Sequence, residues 1–277
     1  MRIRRSLAGG GLVALLLFSG AAAEAAAILP GFNTTTMFRN DDQSTGLVPI
    51  GFSIDFYGNV YSNLYVNTNG NVTFTGPLST FTPFNLLSTA TPIIAPFFAD
   101  VDTRSAGSAV TYGQGTVGAF NAFGVNWVDV DYYSSNPAHT NRNSFQLVMI
   151  DRSDRNAGDF DFWFNYDLIQ WEAGTASGSD FQGCGGNSAR VGWSNGSTAA
   201  FELTGSAING AFIDSGTCVG AAGPNALILG QLNSSTQGRY EFSVRNGTVV
   251  PPEVPEPATL FLLGTGLAGL AARRRRR

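Results

Sequence analysis

No lysine occurs among the 277 residues; all 16 basic residues are arginine. That excludes a Schiff-base enzyme and a Walker-type phosphate loop. Histidine is limited to His139, cysteine to Cys184 and Cys218, and charged residues to 13% of the chain. Outside the termini no segment sustains an apolar period of 3.6 residues, so long amphipathic helices are not expected, and no internal repeat is visible. Basic charge is also missing where it would count. Arg2, Arg4, Arg5 and Arg273 to Arg277 lie at the ends, while residues 28–252 hold 8 Arg against 17 Asp plus Glu, a net of −9. With no basic stripe to displace counterions, the middle of the chain repels nucleic acid and anionic lipid surfaces.

What the chain has instead is turn formers and apolar residues: 34 Gly, 12 Pro and 43% hydrophobics, enough to bury a core. The apolar residues alternate. Ile50, Phe52, Ile54 and Phe56 share one face of a strand, as do Phe160, Phe162, Phe164 and Tyr166, with Asp159, Asp161, Asn165 and Asp167 on the opposite face. Tyr240, Phe242 and Val244 repeat the pattern. Leu64 to Phe74 reads as a hairpin with Asn69-Gly70 in a type I′ turn. The apolar phase shifts from Phe123, Val125 and Trp127 to Val128, Val130 and Tyr132, which requires a β-bulge. The fold class expected is all-β: a single antiparallel, β-sandwich-like domain over residues 45–246, preceded by a polar arm at 28–44 and followed by a linker at 247–253.

Residues 1–27 read as a secretory signal peptide, with a basic start, an apolar run from Leu7 to Phe18 and small residues at Ala21–Ala23 or Ala25–Ala27 for cleavage. In an exported chain a single cysteine pair is most simply a disulfide between Cys184 and Cys218, the alternative being two free thiols. Closing that loop is worth roughly 3–4 kcal/mol by chain entropy. At the other end, residues 258–272 carry no charge and would span about 22 Å as a helix against a hydrocarbon core of about 30 Å, a short membrane segment. The terminal arginines, Arg273, Arg274 and Arg275 among them, would hold the C-terminus in the cytoplasm. Pro255 and Pro257 keep the backbone around Glu256 extended, an accessible neck for a protease.

The Val254-Pro255-Glu256-Pro257-Ala258 neck, apolar segment and arginine cluster together resemble the PEP-CTERM sorting signal of Gram-negative bacteria, over residues 254–277. The resemblance implies recognition and cleavage by an exosortase, a membrane-embedded cysteine transpeptidase, after transient anchoring in the inner membrane. The body resembles the nidogen-like (NIDO) extracellular domain. It is carried by "LYVNTNGNVTF", "PIIAPFFADVDTR", "VNWVDVDYY", "NSFQLVMIDR", "FWFNYDLIQWEAGTASG" and "ARVGWSNG" in order, with Phe98 where the family often has Trp. That resemblance implies a non-enzymatic binding or scaffolding module of the cell surface or extracellular matrix, and it lends no catalytic residues.

Several short motifs compete with this reading. Gly192-Trp193-Ser194-Asn195-Gly196 fits the nucleophile elbow G-x-S-x-G, which needs a strand-to-helix turn and a later histidine; His139 comes earlier, and a strand running into an Asn-Gly turn explains the spacing. Gly113 to Gly118 fits G-x-G-x-x-G without a following helix, so its glycines are expected in a loop or bulge. His139 lies in a loop signature as a solvated residue. Three Asp-x-Asp pairs, Asp100/Asp102, Asp129/Asp131 and Asp159/Asp161, each place two carboxylates about 7 Å apart on one face of a strand. They suit either a solvated face that protects a sheet edge or, at Asp100 and Asp102 where a strand leaves for a loop, a Ca²⁺ site; Arg104 is the competing partner there. No other cofactor is expected. Tyr132, Tyr133, Trp163 and Trp171 could stack on sugars or pack the core. The expected function is adhesion or scaffolding in a surface layer, exopolysaccharide matrix or biofilm, with a protein or exopolysaccharide as partner. A polysaccharide-binding module is the alternative, and an extracellular hydrolase using paired carboxylates a third.

Overall fold

Alternation in the sequence becomes thirteen strands in the computed structural model, which describes residues 27–251 apart from Ser215, Thr217 and Val219. The predicted signal peptide up to residue 26, the sorting signal at 254–277 and its membrane segment at 258–272 lie outside the described residues. Among the described residues no helix is long and apolar enough to cross a membrane. In chain order the strands are β1 (Thr35–Thr36), β2 (Val48–Phe56), β3 (Asn59–Asn67), β4 (Asn71–Thr73), β5 (Pro92–Phe98), β6 (Thr111–Val117), β7 (Phe120–Val130), β8 (Asn143–Asp151), β9 (Phe160–Ile169), β10 (Arg190–Asn195), β11 (Ala200–Glu202), β12 (Arg239–Arg245) and β13 (Thr248–Val249). They form a seven-stranded sheet in the order β1-β6-β7-β8-β9-β12-β13 and a six-stranded sheet in the order β11-β10-β5-β4-β3-β2, with antiparallel neighbours throughout. The all-β expectation holds.

The apolar faces meet between the sheets. Phe97 of β5 lies 5.2 Å from Phe145 of β8, and Phe56 of β2 lies 6.3 Å from Phe160 of β9. Each such aromatic removes a large apolar area from water, worth about 1.5–3 kcal/mol per side chain. Two polar bonds span the same gap: Trp127 Nε1 donates to Thr68 O at 2.8 Å and Tyr166 Oη to Pro96 O at 2.6 Å. They satisfy groups that burial would otherwise penalise.

The predicted bulge is present. The β7–β8 register shifts between Trp127 and Val130, with Asp129 at φ +56°. The hairpin of β3 and β4 is present too, but not its turn. Asn67 pairs with Asn71 across a three-residue loop in which Gly70 alone has positive φ, +70°. The cause is the Asn69 side chain, which is buried and engaged: its Nδ2 donates to Asp42 Oδ1 and Thr80 O, and its Oδ1 accepts from Val101 N.

A second correction concerns the back of the seven-stranded sheet. Asp159, Asp161 and Asn165 were expected to face solvent beside Asp167, yet they are buried and only Asp167 is exposed. The N-terminal arm covers much of this face. Asn126 of β7, Gln146 of β8 and Asn165 of β9 form a ladder of side-chain hydrogen bonds at 2.7 and 2.8 Å. The arm's backbone docks on that ladder: Asn126 Nδ2 donates to Gly31 O and Phe32 O, and the Gln146 amide exchanges bonds with Leu29. Arg239 ends the ladder, donating to Asn165 Oδ1 and Ala27 O. Phe32 then packs beside Ala122, Val148 and Ile150. Gly113 and Gly115, expected in a loop or bulge, lie in unbroken register inside β6, and with Gly124 of β7 they leave room for Thr34 and Phe32.

Candidate functional site

Where the arm leaves this face it turns to one end of the sandwich and brings Asp41 and Asp42 beside Asp100, the second residue after β5. Three local features hold them. Thr68 Oγ1 donates to Asp41 O at 2.5 Å, Asn69 fixes Asp42 as described, and Tyr133 N donates to Asp100 O at 3.2 Å. One carboxylate oxygen from each of the three acids lies within 4.8 Å of the others. Asp100 is 2% exposed. Its Oδ2 and the Oδ1 of Asp41 are buried without a hydrogen-bond partner among the described residues. A side chain at Gly174 would collide with this carboxylate, since a Cβ there would lie 2.1 Å from Asp100 Oδ2.

Burial, reinforced by the neighbouring acids, pushes the Asp100 carboxyl up to about 8 and that of Asp41 up to about 6, with Arg104 opposing both. Asp42 is raised by burial and partly restored by its bond from Asn69. Asp102 does not join the cluster. Arg104 takes it, through N and Nε to Oδ1 at 2.9 and 3.0 Å and Nη2 to Oδ2 at 2.8 Å, and also reaches Asp41 Oδ2 at 2.8 Å. Of the sequence-predicted pair, therefore, Asp100 stands in the cluster and Asp102 pairs with the arginine.

The other two Asp-x-Asp pairs have structural partners. The bulge at Asp129 splits its pair, leaving Asp129 exposed while Asp131 is wholly buried. His139, expected in solvent, has a side chain 5% exposed, with Nε2 2.8 Å from Asp131 Oδ1 and its ring 4.8 Å from Tyr132. Asp131 also binds Arg142 Nη1 at 3.1 Å and Ser105 Oγ at 3.0 Å. Asp161 sits between Arg152 and Arg245, and Asp159 Oδ1 accepts from Asn246 N at 2.7 Å.

Ser194 is buried in β10, its Oγ accepts from Gly196 N at 3.1 Å, and a hairpin to β11 follows instead of a helix. Tyr132 and Trp171 are core residues; Trp163 is half-buried beneath the Arg239 guanidinium, 4.9 Å from its ring centre, and Tyr133 is half-buried with Arg104 5.9 Å away. Cys184 and Cys218 form the predicted disulfide, tying together two excursions outside the strands. A cleft of about 560 Å³ opens beside β11, lined by Phe201, Asn225, Leu227, Gln231 and Tyr240 among others. The single carboxylate on its wall, Glu202, is held by Arg190 Nη1 at 2.9 Å from both oxygens.

Sequence comparison places these features among known proteins. Residues 21–209 match the family described as NIDO related, and residues 253–277 match the PEP-CTERM protein-sorting motif. Alpha-tectorin of Homo sapiens is 33% identical over 199 residues, covering 63% of this chain and 9% of the relative. Alpha-tectorin of Gallus gallus is 30% identical over 256 residues, covering 84% and 11%. Nidogen-2 of Mus musculus is 32% identical over 108 residues, covering 39% and 8%. The chain thus spans about a tenth of the length of these relatives. No solved structure matches it.

Proposed function

The chain belongs to the NIDO-related family, and from that premise we propose that it is a non-enzymatic adhesion or scaffolding component of the cell surface or exopolysaccharide matrix. One observation carries the reading: a NIDO-related body and a PEP-CTERM motif occupy a single chain. The motif marks an exported protein processed by an exosortase, with Pro255, Glu256 and Pro257 as the neck that is read and residues 258–272 as the membrane hold until cleavage. A rigid sheet scaffold outside the cell is suited to binding, and outside the Asp41, Asp42 and Asp100 cluster three buried or half-buried acids, Asp131, Asp161 and Glu202, each hold arginine.

A polysaccharide as the bound partner is the second form of this reading. It draws on the cleft beside β11, where the Phe201 ring and the amides of Asn225 and Gln231 offer a stacking face and hydrogen-bonding groups together.

The test is mass spectrometry of the mature C-terminus in surface and medium fractions of the native host, combined with retention on purified exopolysaccharide. A C-terminus upstream of Ala258 is expected, and it should revert to the intact tail when the exosortase is deleted. An intact tail in mature surface material would refute the sorting route. Turnover of a glycoside or ester by the purified chain would refute the non-enzymatic role.

A further inference from the structure

We propose that Asp41, Asp42 and Asp100 bind one calcium ion that pins the N-terminal arm to the end of the six-stranded sheet. The proposal is independent of the adhesive reading. It starts from satisfied and unsatisfied oxygens. The other acidic sites of the molecule are largely paired: Asp102 with Arg104, Asp131 with His139 and Arg142, Asp161 with two arginines, and Glu172 with the backbone N–H groups of Gly185 and Gly210. Buried carboxylate oxygens without partners are Asp41 Oδ1, Asp100 Oδ2, Asp159 Oδ2 and Asp214 Oδ1 among the described residues. The first two belong to one cluster. Such atoms are costly to bury unless something compensates them.

The dimensions suit a cation. Three oxygens within 4.8 Å of one another lie at most about 2.8 Å from a shared centre, so a shift of a few tenths of an ångström brings them to the Ca²⁺–oxygen distance of about 2.4 Å. Charge points the same way. Asp41, Asp42, Asp100 and Asp102 crowd around a single guanidinium, Arg104, which is half exposed and already forks across Asp102 and Asp41. The donors are all oxygen, so a hard ion is selected over zinc or copper. An irregular set of carboxylates from an arm and a strand end suits calcium better than magnesium, which demands near-octahedral geometry. Gln43, next along the arm, also keeps a buried Oε1 without a partner, and water can complete the six to eight ligands calcium takes.

Such an ion would add a further fixing point at the C-terminal end of the arm. Its first residues dock on the back of the seven-stranded sheet, and Asp41 and Asp42 would be clamped to the strand end of the other sheet. Calcium then strengthens the hold on the arm's C-terminal end, which the β1–β6 pairing and the bonds from Thr68 and Asn69 already fix.

The test uses the full chain purified in detergent and stripped of metal, titrated calorimetrically with CaCl₂ and with MgCl₂. One calcium per chain is expected, with a dissociation constant on the order of 10⁻⁴–10⁻³ M as in extracellular modules. Asp100→Asn and Asp42→Asn should each weaken binding at least about tenfold. Calcium should raise the melting temperature of the wild type and not that of either variant. Without metal, Asp100→Asn should be at least as stable as the wild type, because it relieves like-charge crowding. If Asp100→Asn does not fold, the half-buried Asp42→Asn carries the test. No saturable binding at about 10 mM calcium, magnesium binding of equal strength, or variants that titrate like the wild type would each overturn the proposal.

Discussion

Phe32 packs directly on the backbone of Gly124: a methyl group on that glycine would come within 2.4 Å of the ring's Cγ. The same ring lies over Gly115, where a Cβ would be 2.8 Å from Cε1. A bare stretch of two neighbouring strands is thus the seat of the arm. Because each approach is below van der Waals contact, any side chain at Gly124 must lift the ring or distort the sheet. Gly124→Ala is expected to cost about 1–3 kcal/mol by overpacking, and Phe32→Ala about 3–4 kcal/mol by loss of buried ring. Both should expose the arm to limited proteolysis between residues 28 and 44. Urea denaturation checks the stability, and wild-type stability of Gly124→Ala would contradict the seating.

Asp161 joins β9 to two separate segments through Arg152 Nη1 at 2.8 Å and Arg245 Nη2 at 2.5 Å. Removing the carboxylate leaves two guanidinium groups facing each other. Those groups retain 16% and 19% exposure, so water screens part of the penalty. Asp161→Ala is expected to lose about 1–3 kcal/mol. A double-mutant cycle with Arg245→Met should recover a coupling of about 1 kcal/mol or more, and additive losses would dismiss the triad as stabilising.

Asp214 accepts Ile169 N through Oδ2 at 2.7 Å, while its Oδ1 is buried and unpaired. Burial pushes its carboxyl up to about 6, against the Ile169 bond that lowers it. The folded chain therefore keeps a proton that the unfolded chain has already released between about pH 4 and pH 6. Stability should fall as pH rises through that window and level off above it, by at most about 3 kcal/mol. Asp214→Asn should remove its own share of this slope, leaving the part contributed by Asp41 and Asp100. Denaturation midpoints of wild type and variant across that range measure it; parallel profiles would refute the assignment.

Strands such as β9 were legible because an apolar residue recurs at every second position: Phe160, Phe162, Phe164 and Tyr166 announce it without help from neighbours. Their opposite rows misled for a definite reason. Asp161 and Asn165 look like solvent residues in any window of sequence, but Arg152 and Arg245 enclose Asp161, and the arm, arriving from residues 27–32, covers the ladder to which Asn165 belongs. The shift at Trp127 was readable because a bulge reverses the alternation itself. The turn at Asn69-Gly70 was not, since the preference of that dipeptide was overridden by bonds from Asn69 to Asp42 and Val101. The acidic cluster was half visible. Asp100 stood out at a strand end, but nothing local links it to Asp41 and Asp42, which reach it only through the path of the chain.

The margins of the sheets have their own meaning. Two-residue strands close the larger sheet at both sides, β11 is three residues long, and β2 meets the last margin with Pro49 and an interrupted register. An exported chain with open backbone ladders at its sheet margins risks stacking into fibrils. Blunted rims disfavour that mode of growth and leave the side chains of faces and loops as the surfaces open to contact.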